Sequence, residues 1–201
     1  MVLACTSMLV MFGFGGSPTG PVMAPDQTIV ADSGEDNYRA VAVDGDILLV
    51  ATGEGEVLAY HQVDGTWQLE ETLAPSSPSS TFGTDVAIAG TRVAVLDRVN
   101  GPYLYQRLES GSWVTNAVDD LTDTGVTFLT VGLVEIDTGD DLAICFDDNG
   151  SRGFHTLDFV FEFGVFRWSL SDTVAAPVTA TEQWGDAMNL ADGRLVIGAR
   201  G

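Results

Sequence analysis

The chain contains no lysine, and eight arginines are its only residues that are basic at neutral pH. Its 29 acidic residues give the 201-residue sequence a formal net charge of −21. A surface of that charge repels nucleic acid and anionic lipid, so we expect neither as a partner. Such acidity is typical of a salt-adapted or exported protein. The alternative interpretation is a surface that attracts cations or a cationic partner.

Cysteine and histidine are scarce as well. The two cysteines, Cys5 and Cys145, are too few for a disulfide framework. The two histidines, His61 and His155, have no spacing that indicates a metal site or a Ser-His-Asp triad. The sequence also lacks the G-x-S-x-G, H-E-x-x-H and phosphate-loop motifs. We therefore assign no catalytic residue and expect the protein not to be an enzyme.

No apolar run is long enough to cross a membrane, which takes about 20 residues. Residues 1–14 are apolar except for Thr6 and Ser7, and a glycine-rich stretch follows. This pattern is similar to the hydrophobic part of a signal peptide, although the usual positive start is missing. We interpret residues 1–25 as a clipped export signal and expect a secreted or cell-envelope protein. A buried apolar strand is the alternative.

A loose repeat runs through the rest of the chain. A short segment with apolar first and third residues occurs four times, with starts 45, 48 and 54 residues apart. The four copies are Val41-Ala-Val43, Val86-Ala-Ile88, Val134-Glu-Ile136 and Met188-Asn-Leu190. A second marker recurs with a similar period. It is an aromatic residue that comes seven or eight residues before a tryptophan, and it occurs as Tyr60 and Trp67, Tyr105 and Trp113, and Phe161 and Trp168. This period is typical of β-propeller blades. We expect the tryptophans to anchor the packing between blades.

Each repeat has the pattern of strands, not of helices. Residues 41–43 alternate, a tight turn follows at Asp44-Gly45-Asp46, and residues 47–51 are apolar throughout. We predict an all-β propeller at residues 26–201 with four-stranded antiparallel blades at about 37–80, 82–125 and 128–178 and an incomplete blade at 184–201. We further expect a fragment of a larger propeller that self-associates through the incomplete blade.

Two segments resemble the FG-GAP repeat of integrin α-subunit propellers and of bacterial exported proteins. They are Phe82-Gly83 with Val86-Ala-Ile88-Ala-Gly90, and Trp184-Gly185 with the ending Val196-Ile-Gly-Ala199. Blade one has Asn37-Tyr38 at the position of Phe-Gly, and blade three lacks the pair. The resemblance implies a non-catalytic module outside the cytoplasm that binds a protein or a glycan. The alternative is a polysaccharide hydrolase or lyase, which a pair of carboxyl groups with a raised pKa would identify.

FG-GAP repeats often carry a calcium loop between the first two strands of a blade. At that place only Asp137-Thr-Gly139-Asp140-Asp141 is strongly acidic, and Asp147-Asp148-Asn149-Gly150-Ser151 is a second acidic segment after the next strand. Both are better interpreted as turns, because Asp, Asn and Gly favour hairpin connections. We expect no cofactor and no structural calcium, and name Asp137, Asp140, Asp141 and Asp147 as the candidate ligands if calcium binds.

Overall fold

The computed structural model describes residues 38–75, 78–116, 131–136, 141–148, 151–162, 165–176, 184–191 and 194–199. Within these ranges every regular element is a β-strand, as the sequence predicts, and no helix there could span a membrane. The strands are β1 (Tyr38–Asp44), β2 (Ile47–Thr52), β3 (Val57–Val63), β4 (Thr66–Leu73), β5 (Phe82–Ala89), β6 (Arg92–Asp97), β7 (Gly101–Arg107), β8 (Trp113–Asn116), β9 (Val131–Ile136), β10 (Asp141–Asp148), β11 (Ser151–Glu162), β12 (Val165–Ala175), β13 (Trp184–Ala191) and β14 (Arg194–Ala199).

The strands form four consecutive antiparallel sheets. Three sheets have four strands in sequence order, β1 to β4, β5 to β8 and β9 to β12, and the fourth pairs β13 with β14. The first strand of each sheet lies beside the first strand of the next, so β1, β5, β9 and β13 are successive neighbours. Sheets stacked in this way are the blades of a β-propeller. The fold predicted from the repeat is confirmed, and we number the sheets as blades one to four.

The second strand of blade one shows how the blades pack. Every residue of β2 is buried, as its unbroken apolar run predicts. Alternate side chains on β2 point to opposite faces. Ile47, Leu49 and Ala51 pack against blade two, in a cluster that includes Val86, Val93, Val95, Tyr105 and Trp113. Leu48 and Val50 lie on the other face with Tyr60 and Trp67. Trp113 therefore packs between two blades, as predicted, whereas the cluster that contains Trp67 consists of blade-one residues alone.

A polar contact joins the outer strands of the first two blades. Arg107 on β7 donates from Nε and from a terminal nitrogen to the two oxygens of Glu70 on β4, at 2.7 and 2.5 Å. Trp113 donates from Nε1 to the same carboxylate at 3.1 Å. Arg107 is the main cause of the lowered pKa of Glu70. Because the ion pair is mostly buried and bidentate, it fixes the orientation of blade two on blade one.

The first strand of every blade carries one or two extra residues near its start, relative to the strand it pairs with. In blade two this bulge follows Phe82, which is fully buried with its ring edge-on to Tyr103 and Tyr105. Gly83 comes next and has a φ of +75°. The Phe-Gly pair therefore has a local structural role, since the aromatic ring fills the interblade core and the glycine permits the bulge.

We expect Gly83→Ala to destabilise the protein by about 2 kcal/mol or more. A Cβ at this position would lie 2.9 Å from the Cβ of Ala51 and 3.2 Å from Cγ2 of Val57, both in blade one. Gly90→Ala is the control, because Gly90 has a φ of +58° but nothing within 4 Å of its added Cβ. It should cost about 1 kcal/mol from backbone strain alone. Urea unfolding measures the loss of stability in both variants. Equal losses would show that the close approach of Gly83 to blade one does not matter.

Candidate binding face

Loops from three places meet at one end of the first two blades. Residues 53–56 follow β2, residues 74–75 and 78–81 belong to the connection between β4 and β5, and residues 98–100 follow β6. Because neighbouring strands are antiparallel, these connections lie at the same end of their sheets, opposite the tight turns at Gly45 and Gly90. We call this end the connector face. Loops on a rigid scaffold are a common place for binding residues.

Asp97, at the end of β6, organises this face. The residue is fully buried. One carboxylate oxygen, Oδ1, accepts from the Thr81 hydroxyl at 2.5 Å and from the backbone nitrogens of Val99 at 2.9 Å and Asn100 at 3.3 Å. The other, Oδ2, accepts from the Asn100 amide at 2.9 Å. A single buried carboxylate thus holds both the connector and the turn after β6.

The pKa of Asp97 shows which effect dominates at this position. Burial raises the pKa of a carboxyl group, but the hydrogen bonds from Ser79, Thr81, Asn100 and the backbone of Val99 outweigh it. The net result is a pKa lowered to about 2. Asp97 is therefore ionised at neutral pH, and its hydrogen bonds are charge-assisted.

The turn held by Asp97, residues 98–100, is exposed to solvent. Arg98 is exposed, and Val99 is 68% exposed although its backbone nitrogen is fixed. Blade one has a related arrangement, because Thr52 ends β2, is buried, and donates its hydroxyl to the carbonyl of Glu56 at 3.3 Å. Both blades thus place a buried polar side chain at the last position of the second strand. The roles of Thr52 and Asp97 were not predicted from the sequence, although each residue ends an apolar run.

Arg39 joins the loop after β2 and the connector to the start of blade two. Its guanidinium donates to the carbonyls of Ser80 at 2.5 Å, Gly53 at 2.8 Å and Phe82 at 3.4 Å. These acceptors belong to the connector, to the turn after β2 and to the first strand of blade two. Among the described residues Arg39 forms no ion pair with a carboxylate. The hydrogen bonds that Arg39 donates within these residues are thus to backbone carbonyls, and Asp97 in turn links the connector to the loop at residues 98–100.

The candidate calcium ligands do not come together in the part of the chain that can be described. Asp137 and Asp140 lie outside the described residues. Asp141 begins β10, and Asp147 lies near its end, paired with Arg152 of β11. Six residues of extended strand separate them by about 20 Å, too far to share one ion. The acidic segment at Asp147 is mostly strand, since only residues 149–150 separate β10 from β11. No group of three metal-ligating side chains occurs among the described residues.

The two histidines lie in different blades. His61 on β3 contacts the Asp46 carboxylate, with Nε2 and Oδ2 2.9 Å apart, and this hydrogen bond is the main cause of the lowered pKa of Asp46. His155 on β11 is buried, and its Nδ1 lies 2.8 Å from the Thr173 hydroxyl. Burial lowers the pKa of His155. The described carboxyl groups with a shifted pKa, Asp46, Glu70 and Asp97, are all shifted downward.

No protein-family model matches the chain, and no curated protein matches its sequence. The solved structures to which the chain is similar at low identity include the following three. The computationally designed Ika4 protein is 12% identical with a TM-score of 0.48, over 87% of this chain and 99% of that chain. A structure of YCF48 bound to a D1 peptide is 18% identical with a TM-score of 0.48, over 87% and 50%. The N-terminal domain of Nup159 is 14% identical with a TM-score of 0.40, over 83% and 39%. The chain thus spans half the length of the YCF48 chain and less of the Nup159 chain.

Proposed function

We propose that this protein is a non-catalytic interaction module that binds a protein or a glycan through its connector face. The observation that carries the proposal is the turn after β6, where the buried Asp97 carboxylate fixes the backbone while Arg98 and Val99 remain exposed. A loop that is already ordered loses little conformational entropy on binding. The network around Asp97 and Arg39 therefore favours recognition over a purely structural turn.

Two features of the sequence support an FG-GAP-like module outside the cytoplasm. The Phe82-Gly83 and Trp184-Gly185 pairs begin the first strands of their blades, each next to a bulge. The motif therefore recurs at equivalent structural positions. The apolar residues 1–14 support export. Fusing residues 1–25 to a reporter enzyme that is active only after export tests the location, and an inactive reporter would contradict it.

Binding is best tested with glycan and peptide arrays, followed by titration of any ligand found. We expect Val99→Asp to weaken binding at least about 10-fold, because it alters the exposed residue of the fixed turn. The matched control is Val63→Asp, which makes the same change at an exposed valine before the turn between β3 and β4, at the opposite end of blade one. Equal effects of the two substitutions, or no ligand on either array, would contradict the proposal.

The rival hypothesis, a polysaccharide hydrolase or lyase, predicts a different result. Neutral and acidic polysaccharides incubated with the protein would release new reducing ends or unsaturated products. We expect no turnover, because the lowered pKa values of Asp46, Glu70 and Asp97 keep these groups ionised and unable to act as general acids near neutral pH. Turnover that a carboxylate-to-amide substitution abolishes would favour the enzyme.

A further inference from the structure

The two histidines of the chain differ in burial. His61 on β3 is half-buried, whereas His155 on β11 is 3% exposed. Histidine is the side chain whose charge ordinarily changes between pH 5 and 8. A neutral imidazole can be buried at modest cost, but an imidazolium that is cut off from water is strongly disfavoured. His155 is therefore a place where mild acid would act on this fold.

His155 occupies a position that the first two blades fill with other residues. In blades one to three the first residue of the repeat pairs with a second-strand residue, which is Val50, Val95 or Ile144. The third-strand residues opposite these partners are Leu58, Tyr103 and His155. Val95 and Tyr103 pack against blade one. The equivalent face of blade three is turned towards blade two, whose strands β5 and β6 lie beside β9. His155 thus lies on the side of blade three that packs on blade two.

The neighbours of His155 within its own sheet are mainly apolar. Its partner Ile144 on β10 is fully buried, and so is Leu157, two residues further along β11 on the same face. Thr173 is its partner on β12, and the Thr173 hydroxyl lies 2.8 Å from Nδ1. A hydroxyl can bond a neutral ring nitrogen, but it carries no charge that could balance an imidazolium. Burial accordingly lowers the pKa of His155.

Ionisable groups on the surrounding strands give His155 no net counter-charge. On blade two, the residues that face blade three alternate with those packed against blade one. Two of them are ionisable, Asp85 on β5 and Arg92 on β6, and their charges are opposite in sign. On blade three, Asp158 and Asp172 lie next to the register positions of this face and therefore on the other side of the sheet. Within the described strands, burial is thus the dominant effect on His155.

We propose that His155 is an acid-sensitive contact between blades two and three, packed in its neutral form near neutral pH and loosening blade three from blade two when mild acid protonates it. The device is independent of the proposed function, because the connector face is built from blades one and two. It also differs from the effect of Asp97, which operates several pH units lower.

The direction of the pH effect follows from linkage. An opened or unfolded chain binds a proton on this histidine at the ordinary pKa of 6.5, whereas the folded chain binds it only at lower pH. The stability that neutral His155 provides is therefore complete above pH 6.5. It decreases as the pH falls below that value, because the open state then binds more protons than the closed state.

Urea unfolding of the full chain at pH 7.5 and pH 5.0 tests the energetic part. The reference is His61→Gln, in which His155 is the only histidine left. Between these pH values its unfolding constant should rise about 3- to 30-fold more than that of the double variant with His155→Gln. The upper limit is that of a histidine that is protonated only when unfolded. Glutamine can still bond the Thr173 hydroxyl, and His155→Leu, which places the residue of Leu58 at this position, serves if the amide prevents folding. An equal pH dependence with and without His155 would overturn the proposal.

Hydrogen exchange of the intact chain locates the opening. After correction for the intrinsic exchange rate, amide protection in β10 and β11 should fall from pH 7.5 to pH 5.0. Protection in β2 should change at least about 3-fold less, because the cluster of blades one and two contains no histidine. The difference between the strands should vanish in the His155 variants. Unchanged protection of β10 and β11, an equal loss in β2, or a difference that persists without His155 would each overturn the proposal.

Discussion

Asp97→Ala is expected to lower the free energy of unfolding by about 3 to 5 kcal/mol. The substitution removes the acceptor of four hydrogen bonds at a position that is fully buried. The donors on Thr81, Val99 and Asn100 would lose a charged partner, and part of that loss cannot be recovered from water. Urea denaturation measures the change.

The pH dependence of stability separates the carboxylate from mere packing. The pKa of Asp97 falls from an ordinary value of 3.8 to about 2 in the folded protein. The native state therefore binds its proton more weakly than the unfolded state does. The resulting stability, about 2 kcal/mol, is complete above pH 3.8 and is lost as the pH falls towards 2. Asp97→Asn keeps the shape of the side chain and should remove this acid-dependent part.

Two results would contradict this account of Asp97. One is a loss below about 1 kcal/mol in Asp97→Ala, which would mean that the donors find equivalent partners. The other is a loss of unfolding free energy between pH 5 and pH 2 that is as large in Asp97→Asn as in the wild type. Either would also remove the main support for a preorganised turn at Arg98 and Val99.

The sequence predicted those parts of the fold that depend on local pattern. The apolar run at residues 47–51 predicted a strand buried on both faces. Such a strand needs apolar side chains on both faces, and five consecutive residues are enough to show them. The 45- to 55-residue period predicted the blades, since each blade repeats the same burial pattern. Tyr105 and Trp113 lie in one interblade cluster, and their equivalents Tyr60 and Trp67 lie on the corresponding face of blade one.

The candidate site could not be predicted in the same way, because its contacts join distant parts of the chain. Arg39 reaches carbonyl groups 41 and 43 residues away, and these acceptors are backbone atoms that every residue possesses. Asp97 accepts from Thr81, 16 residues earlier, across a connector of ordinary loop composition. Nothing in the residue types distinguishes these partners. Only the register of β5 on β6, and of blade two on blade one, brings them together.

Phe82→Ala should cost about 3 to 5 kcal/mol, because it removes a large side chain with no exposed surface. The ring contacts Tyr103 and Tyr105 edge-on, with centroids 5.3 and 6.5 Å away, within a cluster that also includes Ala51 and Val57 of blade one. The loss therefore opens a cavity between two blades, and the contacts with both tyrosines disappear together.

Tyr38 provides the matched control for Phe82. The repeat aligned Asn37 with Phe82, but the strand pairing places Tyr38 opposite Thr52 as it places Phe82 opposite Asp97, because the bulge of β1 is one residue shorter than that of β5. Tyr38 is only half-buried, so Tyr38→Ala should cost about half as much. Urea unfolding followed by tryptophan fluorescence reports on the interface directly, since Trp113 belongs to the same cluster as Phe82. If Phe82→Ala and Tyr38→Ala destabilise the protein equally, the aromatic residue of the Phe-Gly pair is not a specific interblade anchor. The motif would then depend on the bulge at Gly83 alone.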